Sequence, residues 1–127
     1  MSTTFEVGQK LAEFVRQCKF MEAVDALYAP NIVSIETMSM PNMPARQEGI
    51  DAIRKKAQWW IDNHITHKAE VTGPFPHGDR FIIFMKMDVT SKSGPYAGKR
   101  NTFEEAGLYT VKDGRVVQEE FFYNMPG

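Results

Sequence analysis

Apolar positions recur at helical spacing in the first half of the chain and at strand spacing in the second. Val7, Leu11, Phe14, Val15 and Cys18 share one face of a 3.6-residue period. Thr3 and Glu6 have the spacing of a capping box, so a first helix is predicted over about 4–18. Phe20, Ala23, Val24, Leu27 and Tyr28 predict a shorter second helix, stopped by Pro30. A brief strand follows at Ile32–Glu36, with Val33 and Ile35 on one face and Ser34 and Glu36 on the other. Between Thr37 and Glu48, Pro41 and Pro44 exclude regular structure, while Met38, Met40 and Met43 suggest an apolar cover. Ile50, Ile53, Ala57, Trp60, Ile61 and His64 then set a third helix, with Trp60 toward the core and Trp59 on its flank.

The remainder reads as strands and turns. His67–Phe75 is one strand and Pro76–Asp79 its turn. In Phe81–Thr90, Phe81, Ile83, Met85, Met87 and Val89 face one way and Lys86, Asp88 and Thr90 the other. Lys99–Val111 is a long strand. Asp113-Gly114 is a tight-turn signal, because a two-residue hairpin loop needs positive φ, and a last strand follows it. Three amphipathic helices and a strand meander bury their apolar faces in two layers. The fold class is α+β, a cone-shaped curved antiparallel sheet wrapped around three N-terminal helices.

Composition narrows the function classes. A chain of 127 residues, 43% of them hydrophobic, is one domain over 1–127 with a real core. The formal charge is -1 and no basic stripe is present. Arg54, Lys55 and Lys56 are the densest cationic cluster and are assigned to a helix surface, so no nucleic-acid partner is expected. A single cysteine allows no intrachain disulfide. Cys18 has no base near it in sequence and is read as a buried structural residue. The N-terminus lacks an apolar signal core, and no apolar run approaches the roughly 20 residues of a membrane span. The expectation is a cytoplasmic protein without membrane contact. His64 and His67 would suit a metal only if both stayed helical, and a third ligand is not evident, so neither metal nor cofactor is expected.

Ala26–Glu36, Gly49–Ile53 and Gly107–Tyr123 carry a resemblance that spans nearly the whole chain. Their order and spacing resemble the SnoaL-like branch of the nuclear transport factor 2-like superfamily, a cystatin-like fold. That superfamily includes ketosteroid isomerase, polyketide cyclases, limonene epoxide hydrolase, scytalone dehydratase and non-catalytic binding or dimerisation domains. Its members are commonly homodimers, so fold alone leaves activity open. By resemblance, Glu36 occupies the position of the isomerase's general base. The isomerase's two enolate-stabilising donors fall at Ala12 and about Gly107, neither of which can donate from a side chain, so steroid isomerisation by that route is not expected. The cyclase acid falls at Asn124. Arg100 and Arg115 lie at strand ends rather than beside a carboxylate pair, which leaves the epoxide hydrolase set unmatched.

A polar pocket is nevertheless implied. Phe103, Glu105, Gly107, Tyr109 and Val111 share a face of the penultimate strand, which the resemblance makes the inner one because it holds the isomerase acid, and Val117, Glu119, Phe121 and Tyr123 form the matching face of the last. Glu36, Glu105 and Glu119 then converge as candidate catalytic groups. Trp60, His64, Met85, Met87, Phe103, Tyr109, Phe121 and Tyr123 are the candidate ligand-binding residues. Three carboxylates in a poorly hydrated space cannot all stay ionised, so at least one should hold its proton to higher pH. Tyr109, His64 and Tyr123 are the donors available to Glu36. A bulge in the last strand would exchange Glu119 for Glu120. The expected function is binding of a small, mostly apolar ligand, with cofactor-independent isomerase, cyclase, lyase or hydrolase chemistry on a pocket carboxylate. The alternative is a non-catalytic ligand-binding or dimerisation module. Ile82, Phe84 and Phe122 on the outer sheet face suggest a homodimer.

Overall fold

The computed structural model describes residues 2–124. Among these, three helices and six strands alternate in the order α1 (Thr4–Arg16), α2 (Phe20–Leu27), β1 (Tyr28–Ile35), β2 (Arg46–Glu48), α3 (Ile50–Asn63), β3 (His64–His77), β4 (Arg80–Ser91), β5 (Arg100–Lys112) and β6 (Arg115–Phe122). The strands form one curved sheet in the order β2-β1-β6-β5-β4-β3, and α1 packs across β3 and β4. The architecture is the expected α+β cone. One pairing departs from an antiparallel sheet: β1 runs parallel to β6, because the chain crosses through β2, α3 and three strands before returning beside it.

Local chemistry accounts for most boundaries. At the start of α1 the Thr3 hydroxyl accepts from the Glu6 amide at 3.1 Å and the Glu6 carboxylate accepts from the Thr3 amide at 3.0 Å. The helix ends two residues earlier than its apolar stripe suggests. Cys18 sits at φ 58 beyond the end, the Lys19 amide donates to the Phe14 carbonyl at 2.9 Å, and the Cys18 amide donates to Val15 at 2.9 Å. This closure normally takes glycine at the left-handed position. Cys18 is therefore partly exposed at a helix stop instead of buried on the helix face. Asp113 and Gly114 both take positive φ, 53 and 75, and close the β5–β6 hairpin as read.

Three segments differ from the expected elements. Tyr28 begins β1 instead of ending α2, since the residues just before Pro30 are biased to extended backbone. The 37–48 connection is not wholly irregular, because Arg46–Glu48 adds a short antiparallel strand to β1, with Ser34 opposite Gln47. His64 leaves α3 and begins β3.

The core lies between the helices and the concave face of the sheet. Phe81, Ile83, Met85, Met87 and Val89 are all buried there, as the alternation of β4 implies. In β6 the inner face is Val116, then Glu119 and Phe121, not Val117. Val111 pairs with Val116 and Thr110 with Gln118, so Val117 is an extra residue that resets the alternation. No helix is long and apolar enough to cross a membrane among the described residues.

Candidate functional site

The open end of the cone holds a cavity of about 1010 Å³ between the helices and the concave sheet face. Glu36, Glu105 and Glu119 all line it. So do Trp60 near the end of α3, His64 at the start of β3, Met85 and Met87 from β4, Phe103 and Tyr109 from β5, Phe121 from the end of β6 and Tyr123 just beyond it. The structure thus brings all the sequence-predicted site residues to one space. Met38, Met40, Met43 and Pro44 from the connection before β2, with Tyr96 from the β4–β5 loop, line it as well and give it an apolar rim.

Sequence reasoning missed the cation at the centre. Lys56 is not on the helix surface. Its side chain is 17% exposed and forms an ion pair with Glu36, itself 22% exposed. The Lys56 ammonium also donates to the Ser34 hydroxyl at 2.7 Å and lies 4.0 Å from a Glu119 oxygen. The signal was present: Lys56 stands three residues after Ile53 and four before Trp60, on their helical face. Its ammonium sits 5.0 Å from the Phe121 ring centroid, an additional favourable contact.

Glu119 is the deepest of the three acids, at 4% exposure. Tyr28 donates its phenol to one oxygen, and the Ser34 hydroxyl donates to the other at 2.7 Å. Tyr28 and Ser34 were also missed as site residues. Apolar periodicity places Tyr28 at a helix end, and Ser34 shares its face with Glu36 by simple alternation. Burial pushes the Glu119 carboxyl above its ordinary value, opposed by Lys56, Tyr28 and Ser34 and reinforced by Glu36. Burial also pushes the Tyr28 and Tyr109 phenols well above 10, with Glu119 adding to both, so each keeps its proton.

Glu36 is held at both oxygens. Lys56 takes one, and the Tyr123 phenol donates to the other at 3.2 Å. Tyr123 is pushed up to about 12, chiefly by burial and then by the Glu36 charge. Of the donors expected for Glu36, only Tyr123 serves. The Tyr109 ring instead stacks on Phe81 at 5.0 Å. It fills the space that a side chain at position 107 would need, since a Cβ on Gly107 would lie 2.6 Å from the Tyr109 ring.

Glu105 is different. The bonds that hold Glu36 and Glu119 do not reach its carboxyl. Burial, then the Glu36 charge, raises it to about 8, against a smaller lowering by Lys56. At neutral pH it carries a proton and can donate it.

His64 stacks on Trp60 at 3.8 Å, with its Nδ1 3.0 Å from the Trp60 carbonyl. Burial lowers its pKa. With Nδ1–H donated to that carbonyl, Nε2 is left as an acceptor. His67 bonds Thr90 on exposed sheet at 2.7 Å, so the two histidines serve different surroundings. Among the described residues no three His, Cys, Asp or Glu side chains are arranged so that they could hold a metal ion.

Residues 2–123 match the SnoaL-like domain family, and the chain belongs to it. The sequence is 38% identical to a candidate SnoaL-like polyketide cyclase from Mesorhizobium loti. The two structures superpose with a TM-score of 0.86 over 96% of this chain and 100% of that one. An NTF2-like protein of unknown function from Burkholderia pseudomallei shares the fold at 16% identity, with a TM-score of 0.79 over 98% and 92% of the chains. So does an LEH-like epoxide hydrolase from M. tuberculosis, at 13% identity and a TM-score of 0.70 over 95% and 82% of the chains. No curated protein matches the sequence.

Proposed function

We propose that this SnoaL-like domain binds a small, mostly apolar ligand in the cone and transfers a proton on it without a cofactor. The chemistry is of the isomerase, cyclase, lyase or hydrolase kind. The observation that carries the reading is the contrast among three neighbouring acids: Glu105 protonated up to about pH 8, Glu36 held by an ammonium and a phenol, and Glu119 fully bonded. Adjacent acids in different surroundings can take different roles. Glu105 is the donor and Glu36 the acceptor, with Glu119 anchoring the network. Trp60, Phe103 and the two strand methionines hold the apolar body. The test is deuterium exchange at the methyl group of 2-acetonaphthone, a neutral ketone of suitable size, followed by proton NMR. Exchange should be faster than in buffer and should fall at least about tenfold in Glu36→Gln and in Glu105→Gln. Wild-type rates in both variants would defeat the assignment.

A non-catalytic ligand-binding module is the second reading. It is favoured by the full occupation of both Glu119 oxygens and both Glu36 oxygens. Tight binding of the ketone without exchange would select it. We also propose a cytoplasmic homodimer formed through the outer sheet face. There Phe84 and Phe122, half exposed, line a shared groove with Lys86, Glu70 and Glu104. A monomer mass by light scattering at micromolar concentration would remove the dimer.

A further inference from the structure

We propose that the cavity selects its ligand by charge: it takes an apolar body bearing a neutral acceptor or an amine, and it rejects carboxylates and other anions. The inference rests on the cavity's being the ligand site, as proposed above, and not on its being catalytic. Four glutamates line the space, Glu36, Glu104, Glu105 and Glu119, and Lys56 is the one lysine or arginine among the described residues that line it. That ammonium is already shared by Glu36, the Ser34 hydroxyl and Glu119. An incoming anion would have to displace one of these while losing its own water beside two further acids. A neutral acceptor meets none of that cost, because the protonated Glu105 carboxyl can donate to it. An amine meets an acid lacking a partner in the network, and the aromatic rings of Trp60 and Phe103, which line the cavity and meet edge to face at 5.5 Å.

Groups facing Glu105 come from every side of the cavity: Glu36 at the end of β1, Lys56 on α3, His64 on β3, Tyr109 on its own strand, and Glu119 and Tyr123 from β6 and just beyond. As pH rises through about 8, Glu105 loses its proton. A neutral acceptor then loses its donor, and an amine gains a counter-charge.

Three probes with one naphthalene body separate the cases by calorimetry: 2-naphthoate, 2-acetonaphthone and 2-naphthylmethylamine. At pH 7 the naphthoate should bind at least about tenfold more weakly than the other two. Raising the pH from about 7 to 9 should weaken the ketone severalfold. Glu105→Gln stays neutral and keeps an N–H donor, so it should flatten that dependence. Naphthoate binding within about threefold of the ketone overturns charge selection, and this arm uses the unmodified protein. A ketone pH dependence that persists in Glu105→Gln overturns the role given to Glu105. Failure of all three probes to bind at millimolar concentration overturns the cavity as a ligand site. Selective binding without methyl exchange upholds charge selection and rejects only the catalytic reading.

Discussion

Replacing Glu105 with glutamine keeps the shape of the side chain and removes its ionisation, so it isolates what the buried proton does for stability. In the folded protein the carboxyl titrates at about 8, against 4.5 for the free group. Because the folded value is the higher, the protonated form is the one that folding favours. Below about pH 4.5 both states carry the proton and the wild type incurs no penalty. As pH rises toward 8, the unfolded chain releases its proton while the folded chain keeps it, and stability falls. The interval is about 3.5 pH units at about 1.4 kcal/mol each, a ceiling of about 5 kcal/mol. The carboxyl opens on the cavity and water can follow it, which lowers the expected effect to about 2–3 kcal/mol. Urea unfolding of both proteins from about pH 4 to 9 is the assay, read as a difference so that groups common to both cancel. The glutamine variant should match the wild type in acid and exceed it by that margin above pH 8. A difference that stays constant across the range would show Glu105 to be hydrated in the fold, and the argument for a protonated donor would fail.

Tyr28→Phe removes a phenol that donates to buried Glu119 and should cost about 1.5–3 kcal/mol in chemical denaturation; a cost near zero would mean that water takes its place. Lys56→Met leaves Glu36 without its cation and should cost about 2–4 kcal/mol. The loss should be larger at pH 8 than at pH 5, because the ammonium also holds Glu119 down and its removal lifts that folded pKa further above the unfolded one. Gly107→Ala drives a methyl into the Tyr109 ring and should destabilise by about 1–3 kcal/mol, measured as a shift in unfolding midpoint; a neutral result would mean that the ring can swing aside.

Much of the fold was legible because its signals are local. The Thr3–Glu6 capping box, the alternation of β4 and the Asp113-Gly114 turn each depend on a few neighbouring residues, and each formed as read. The acids of the site were legible through the family resemblance, which gave Glu36 its place and named the inner face of β5, with strand alternation then adding Glu105 and Glu119. Their partners were less so. Lys56 looks like surface charge until the sheet supplies carboxylates to receive it, and only its position between Ile53 and Trp60 marks it as inward. Tyr28 pairs with a residue 91 positions away, a relation that no local pattern encodes. Cys18 took a left-handed stop usually filled by glycine, so apolar periodicity carried the first helix too far.

The extra residue at Val117 bears on how such a strand can change over generations. Val116 and Glu119 both point inward although an odd number of positions separates them. A descendant lacking residue 117 would restore plain alternation and still direct Glu119 and Phe121 into the cone. An added residue between 118 and 119 would instead turn the acid out, leaving Tyr28 and Ser34 facing an empty place. Length variation at this point is therefore asymmetric: loss alters only the coiling of the strand, whereas gain erases the chemistry. A strand that keeps the site can lose one residue here but cannot gain a single one between 118 and 119.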